Sequence, residues 1–177
     1  MTKLITETPR FIIREFNLND AADVLAFNGN KQVIRYTGDP DTVRTIDDAN
    51  QIITDYWLKG YQENGYARWA VEDKQTKRVI GFCGFKYEDH ESVQANDVGY
   101  RFLPEYWGKG VATETLRACL VYAKHHLDFD EIIGDVMVEN PASSRVLEKA
   151  GFEFKKRVNY DGETLNRYIL KLSSWTE

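Results

Sequence analysis

Two glycines flank a lysine in the stretch Trp107–Gly110, where an apolar strand pattern gives way to a helical pattern. A helix that begins near Ala112 leaves its first backbone N–H groups without partners inside the helix. The helix dipole adds partial positive charge at that end, and Gly108 and Gly110 have no side chain to keep a ligand from the backbone. With Lys109 between them, these amides suit a phosphate or a diphosphate.

The same glycines are also compatible with a tight strand-to-helix turn that binds nothing. The stretch is not a Walker loop, because the pattern GxxxxGK[ST] occurs nowhere in the chain. It is not the Rossmann fingerprint either, because GxGxxG read from Gly108 requires a glycine where the chain has Thr113. The glycines alone therefore leave phosphate binding and a bare turn open.

The apolar pattern predicts the element order β-α-α-β-β-β-α-β-α-β-β, with antiparallel hairpins first and a strand–helix–strand crossover later. The polar stretch from Glu88 to Asn96 is predicted as a loop. This order indicates an α/β domain of the α+β type, with a mixed, mostly antiparallel sheet of about seven strands and flanking helices. The predicted strands are Phe11–Phe16, Ala67–Glu72, Val79–Tyr87, Asp97–Leu103, Ile132–Val138, Glu153–Tyr160 and Leu165–Leu172.

The composition limits the classes of function. A length of 177 residues suits a single domain over residues 1–177. The net charge of −5 argues against a nucleic-acid-binding surface, and no apolar run is long enough to span a membrane. Cys83 and Cys119 lack zinc-ligand spacing and lie in apolar stretches, so we expect no metal site and two buried, reduced thiols in a cytoplasmic protein.

Two blocks, DVGYRFLPEYWGKGVATE and VENPASSRVLEKAGF, together resemble the acetyl-CoA-binding core of the GNAT N-acetyltransferase superfamily. The most similar branch contains the ribosomal-protein alanine and serine N-acetyltransferases, and PRFIIREFNLNDA resembles its opening strand and helix. The resemblance runs from Pro9 to Leu172. It implies that an acetyl group passes from acetyl-CoA to a primary amine, a protein N-terminal α-amine or a small amine, by direct attack on the thioester.

The resemblance also implies where the cofactor binds. Trp107 stands where the family usually has Gln or Arg, which leaves most of the diphosphate binding to backbone N–H groups. The pantetheine arm is expected to pair with the strand backbone at Phe102 and Leu103, and Asn140 to contact the cofactor. The expected cofactor-binding residues are Phe102, Leu103, Trp107, Gly108, Lys109, Gly110, Val111, Ala112, Thr113, Asn140 and Ser143.

Asp97 matches a family position that often carries a catalytic or water-binding Glu. It shares a strand face with Gly99, Arg101 and Leu103. Asp97 lies ~20 Å from Leu103 along an ideal strand, a distance that a family bulge shortens, so we expect it to act through water. It also stays open that Asp97 is only a carboxylate at a strand edge, with no catalytic role. The acidic run Glu88–Glu91 could supply the base instead, or be merely a solvated loop.

The resemblance assigns the thioester oxygen to the backbone N–H near Leu103. Many members protonate the departing sulfur with a Tyr in the last helix, but this chain has Leu147 there. Ser143 shares a helix face with Asn140 and is the predicted hydrogen-bond donor to the sulfur. Two alternatives stay open: Ser144 is the donor, or Ser143 only belongs to the first turn of the helix.

Three further expectations concern partners. Acidic residues at Asp39, Asp41 and Glu88–Glu91 would suit a cationic acceptor, and Tyr36, Trp57 and Tyr66 would line its cleft or belong to the core. Many relatives pair two domains along a sheet edge, so a homodimer stays open. The alternatives to an acetyltransferase are a non-catalytic acyl-CoA sensor on the same fold and a different phosphate-dependent enzyme.

Overall fold

A computed structural model of the chain describes residues 2–37, 42–90 and 93–177, with only the backbone described at His90. In these residues, eight strands form one sheet in the order β1-β2-β3-β4-β5-β6-β8-β7. Neighbouring strands are antiparallel except β5 and β6, which are parallel. The strands are β1 (Leu4–Glu7), β2 (Phe11–Arg14), β3 (Arg68–Asp73), β4 (Val79–His90), β5 (Val93–Phe102), β6 (Glu131–Met137), β7 (Glu153–Tyr160) and β8 (Glu163–Lys171).

Helices cover both faces of this sheet. Thr45 and Asp48 form a capping box at the start of α3, and a π-helical segment, Ile53–Leu58, joins α3 to α4. Asn140 caps α6, whose first residue is a proline, and Gly151 ends it with φ 102°. The helices are α1 (Ala21–Asn28), α2 (Lys31–Ile34), α3 (Ile46–Ile52), α4 (Lys59–Asn64), α5 (Val111–His126) and α6 (Pro141–Ala150).

The predicted α/β domain with a mixed sheet is confirmed, and the sheet has one strand more than predicted. The additional strand is β1, where Ile5 is buried while Leu4 is 58% exposed. The prediction of a loop from Glu88 to Asn96 was wrong. There β4 and β5 continue as a two-stranded ribbon whose pairing runs to His90 and Val93. Backbone hydrogen bonds hold this ribbon together. Its side chains are mostly polar and lack the alternation of apolar and polar residues from which a strand is predicted.

The β4–β5 register continues without a shift from the pair Gly81–Phe102 to the pair His90–Val93. The bulge expected between Asp97 and Leu103 is therefore not present in this pairing.

The alternation of side chains along β3 and β4 produces two separate cores. Trp69 and Phe85 point to the face covered by α5 and α6, together with Leu116 and Leu120 of α5. The opposite face, under α1 to α4, has its own cluster, which we call the α1–α4 core. Its largest side chains are Phe16, Phe27, Trp57 and Phe82.

The parallel pair β5–β6 opens into a gap. Its paired residues are Asn96 with Ile132 and Asp97 with Ile133. Beyond them β5 runs on to Phe102 and β6 to Met137 without pairing to each other in the described residues. A gap of this kind leaves backbone N–H and C=O groups on both strands available to an extended ligand.

Helix α6 lies over the start of this gap on the α5–α6 face. A Cβ atom on Gly134 would lie 2.8 Å from Leu147 Cδ1 and 3.3 Å from Val98 Cγ1. Leu147 is 1% exposed and thus fills the space where the two strands begin to separate.

This packing predicts a large cost for removing the Leu147 side chain. Leu147→Ala should lower the free energy of unfolding by about 2–5 kcal/mol, because a cavity would open between β5, β6 and α6. Leu4→Ala, which truncates an exposed leucine on β1, should cost less than about 1 kcal/mol. Urea unfolding measures the free energy of unfolding of both variants. An equal decrease in the two would contradict the buried placement of Leu147.

Candidate active site

The glycine turn forms a cradle of backbone amides at the start of α5. Gly108 has φ 69° and Gly110 has φ 74°, in the left-handed region that favours glycine. The first bond inside α5 runs from Glu114 N to Gly110 O at 3.0 Å, and no side chain caps the helix at Gly110. The amides of Val111, Ala112 and Thr113 precede that bond and remain available.

Arg10 borders the same cradle, although the sequence analysis missed it. Its Nη2 donates to the carbonyl of Lys109 at 3.0 Å, and its Nε donates to Glu114 at 2.8 Å. A Cβ atom on Gly110 would lie 3.8 Å from Arg10 Nη2. Arg10 therefore adds a guanidinium where Trp107 replaces the usual Gln or Arg. The two chain segments lie 99 positions apart, which is why no local pattern pointed to it.

Trp107 ties the cradle to the end of β5. Its indole Nε1 donates to the carbonyl of Phe102 at 2.8 Å, while half of the side chain stays exposed. This contact fixes the turn between β5 and α5 without placing a charged side chain in the cradle.

The backbone of β5 alternates in direction between its two neighbours. Leu103 N–H donates to the carbonyl of Ile80 in β4 at 3.0 Å, so the structure does not place the Leu103 amide in the gap. Because the direction alternates along an antiparallel pair, the backbone groups of Phe102 and Tyr100 point away from β4. Of the amides near Leu103, that of Phe102 therefore faces the gap.

Asp97 lies on the opposite face of the sheet from α6 and is held by Arg68. The Nη2 atom of Arg68 lies 2.6 Å from Asp97 Oδ2, and its Nη1 donates to the carbonyls of Gly84 and Asp97 at 2.9 and 2.8 Å. A Cβ atom on Gly99 would lie 2.6 Å from the Arg68 guanidinium carbon. Gly99 is thus needed for the guanidinium to lie flat across β5.

Burial raises the pKa of Asp97 to about 6, and the neighbouring Arg68 opposes that rise only in part. Glu88 and Asp135 act in the same direction as burial. Asp135 lies on β6, on the same face as Asp97, and forms a two-bond ion pair with Arg167 at 2.8 and 2.7 Å. Two carboxylates therefore border the gap on this face, and each has an arginine partner.

Ser143 and Asn140 meet at the start of α6, on the other face of the sheet. Asn140 Oδ1 accepts a hydrogen bond from the backbone N–H of Ser143 at 3.3 Å. The hydroxyl of Tyr100 on β5 lies 2.9 Å from the carbonyl oxygen of Ser143 and 2.8 Å from its Oγ. Tyr100 was not among the predicted site residues. Leu147 is buried in the core on this face and contributes packing.

Other candidates are not brought into this arrangement. Trp57 is 6% exposed and stacks on Phe16 at 4.0 Å, so it belongs to the α1–α4 core. The hydroxyl of Tyr66 donates to Asn96, and Glu88 pairs with Lys86 at 2.8 Å. The predicted acidic positions Asp39, Asp41 and Glu91 lie outside the described residues.

Cys83 and Cys119 are free and buried, as expected. In the part of the chain that the structure describes, no group of three or more His, Cys, Asp or Glu side chains is arranged to hold a metal ion. Nor do the helices within residues 2–37, 42–90 and 93–177 include one with the length and apolar character needed to cross a bilayer.

Comparisons with known proteins identify the family of the chain. A family model described as "Acetyltransferase (GNAT) domain" matches residues 10–153. The "Uncharacterized N-acetyltransferase YoaA" of Bacillus subtilis (strain 168) is 34% identical over 149 residues, which cover 84% of this chain and 82% of that protein. The "[Ribosomal protein uS5]-alanine N-acetyltransferase" of Escherichia coli (strain K12) is 26% identical over 114 residues, covering 61% and 59%.

The fold is also similar to that of a solved structure, the spermidine N-acetyltransferase from Vibrio cholerae in complex with CoA and spermine. The TM-score is 0.75 at 22% identity, and the match covers 94% of this chain and 98% of that one. With a family model matched over residues 10–153 and a relative above 30% identity, the chain belongs to the GNAT acetyltransferase family.

Proposed function

We propose that this protein transfers an acetyl group from acetyl-CoA to a primary amine, which attacks the thioester directly in the gap between β5 and β6. Family membership supplies acetyl transfer to amines in general. The observation that carries the finer proposal is the gap itself, with an amide cradle at one end and carboxylates on the face away from α6. Residues 1–177 act in this proposal as one acetyltransferase domain, and the two buried free thiols favour the cytoplasm.

GNAT acetyltransferases use acetyl-CoA, and the cradle suits the diphosphate of that cofactor. Three available amides, the dipole of a 16-residue helix and the Arg10 guanidinium converge there. A Cβ atom on Gly108 would meet nothing within 4 Å, so the backbone lies open on that side. The proposed cofactor contacts are Phe102, Trp107, Gly108, Lys109, Gly110, Val111, Ala112, Thr113, Asn140 and Ser143.

The cradle is tested by adding a single methyl group to it. Gly108→Ala should weaken CoA binding at least about tenfold, because the Cβ atom would stand between the ligand and the amides. Gly162→Ala in the β7–β8 turn is the matched control, since Gly162 has φ 79° and also has nothing within 4 Å of an added Cβ. Because both variants carry similar backbone strain, only the position of the added methyl group distinguishes them. Calorimetric titration with CoA measures the two affinities. Equal affinities would contradict the cradle.

The amine must lose a proton before it can attack. Asp97 borders the gap on the face away from α6, and its raised pKa of about 6 suits a base that works near neutral pH. Tyr100 lies three positions after Asp97 on β5, about 10 Å along a strand, so a relay of water molecules would carry the proton to the carboxylate. Arg68 fixes the direction of that carboxylate.

This role predicts a specific pH dependence. Asp97 accepts a proton only as a carboxylate, so kcat/KM should fall as the pH drops through about 6. Asp97→Asn should lower kcat/KM about 10²-fold at pH 8 and abolish the inflection near pH 6. The control is Glu88→Gln, which removes the alternative base on β4. If Glu88→Gln abolishes the inflection and Asp97→Asn keeps it, the base is Glu88.

Negative charge develops on the thioester oxygen and on the departing sulfur, and each needs a hydrogen-bond donor. The Phe102 N–H is the proposed donor to the thioester oxygen, because it faces the gap while the Leu103 N–H is engaged by β4. Ser143 is the proposed hydrogen-bond donor to the departing sulfur.

The comparisons suggest two classes of acceptor to test. The relatives include a ribosomal-protein alanine N-acetyltransferase, and a structural neighbour is a spermidine N-acetyltransferase. An acceptor screen that follows free thiol should compare peptides beginning with Ala or Ser against spermidine and shorter diamines. Thiol release with one class would identify the substrate. CoA binding without thiol release for any amine would instead identify an acyl-CoA sensor.

A further inference from the structure

Tyr100 makes a contact that the reaction described above does not use. It extends from β5 on the α5–α6 face, is partly buried against that core, and reaches across to the first turn of α6. Its hydroxyl touches both the carbonyl oxygen and the Oγ of Ser143, at 2.9 and 2.8 Å. A tyrosine hydroxyl can donate one hydrogen bond and also accept, so both contacts can be made at once.

The residue spacings of α6 and β5 together determine where this contact lies along the gap. Leu147 and Ser143 are four residues apart and share one face of α6. Val98 and Tyr100 are two residues apart and share one face of β5. Leu147 packs where β5 and β6 begin to separate, beside Val98. One helical turn earlier, Ser143 meets Tyr100 where the gap has opened.

We propose that Tyr100 is a positioning residue for Ser143, whose hydroxyl it orients toward the departing sulfur of the cofactor. The inference rests on the proposed function, because it requires Ser143 to donate to that sulfur. It assigns to β5 the tyrosine hydroxyl that many relatives supply from α6.

The hydroxyl protons of Tyr100 and Ser143 can be arranged in two ways. In the first, Tyr100 donates to the Ser143 carbonyl, and the Ser143 hydroxyl donates back to Tyr100. In the second, Tyr100 donates to Ser143 Oγ, which leaves the Ser143 proton free for a new acceptor. A sulfur that gains negative charge in the gap selects the second arrangement, because donors polarised by a further hydrogen bond interact more strongly with an anion.

No proton has to leave Tyr100 in this scheme. Burial raises the pKa of Tyr100 above its ordinary value, so the phenol stays protonated. A thiol has a pKa near ~8.5, so a departing thiolate is too weak a base to remove that proton. The C–N bond forms, the C–S bond breaks, and the sulfur keeps the electron pair while two hydroxyls stabilise it. The protons of the amine leave through the carboxylate side.

A double-mutant cycle tests the inference. Single-turnover rates of acetyl transfer are measured for Tyr100→Phe, Ser143→Ala and the double variant, with the amine that releases thiol fastest in the screen. Each single variant should be about tenfold slower, with the affinity for CoA changed less than about threefold. The double variant should be no slower than Ser143→Ala alone, because the two hydroxyls act as one unit.

Two further variants separate positioning from packing. Tyr168→Phe removes a hydroxyl that lies 3.2 Å from Glu148 on the same helix α6, and its rate should equal that of the unaltered protein. Ser143→Thr keeps a hydroxyl, so adding Tyr100→Phe to it should again cost about tenfold. Thermal unfolding of each variant confirms that it is folded.

The outcomes distinguish this inference from the proposed function. Multiplicative losses in the double variant, or an unchanged rate in Tyr100→Phe beside a slow Ser143→Ala, would overturn the role of Tyr100 alone. An unchanged rate in Ser143→Ala would overturn the thiolate role of Ser143 and this inference with it.

Discussion

The parallel pairing of β5 and β6 stops after the pair Asp97–Ile133, and the arrangement of the site depends on that interruption. Unpaired strand edges inside a sheet are costly, so they require either water or another extended group. Leu147 closes the narrow end with apolar packing, and the wide end is bordered by the amide cradle of α5. An extended arm with a diphosphate at one end therefore matches both the direction and the chemistry of the gap.

Two groups of polar side chains lie on opposite faces of the sheet beside the interruption, and the proposed reaction uses both. Asp97 and Asp135 face away from α6, while Tyr100 faces α6 and contacts Ser143 in its first turn. Asp97 pairs with Arg68 on β3, two strands away, and Asp135 pairs with Arg167 on the neighbouring strand β8, so the charge of each carboxylate is balanced. Such paired charges hold side chains in one orientation more than they stabilise the fold. In the proposed reaction, a base on one face and a hydrogen-bond donor on the other would keep the incoming amine and the outgoing sulfur apart.

Local signals in the sequence were enough to predict the glycine turn, the Asn140–Ser143 cap and the face that carries Asp97. Each of these depends on residues within a few positions of one another. Arg10, Arg68 and Tyr100 act through contacts with residues far away in the chain, and no periodicity reports such contacts. Gly99 was an available signal, because a glycine inside a strand often marks a close approach of another group. The pairing of Glu88–His90 with Val93–Asn96 was missed because most of these side chains are polar and give no apolar alternation.

Arg10 also connects the cradle to the turn between β1 and β2, through bonds to Lys109 and Glu114. A ligand that binds the cradle will therefore also hold the amino-terminal hairpin, since whatever binds only the folded arrangement lowers its rate of local opening. Backbone amides of β1 and β2 are then expected to exchange their hydrogens with solvent more slowly when the cofactor is bound. The exchange of this edge hairpin would then report whether the cofactor is bound.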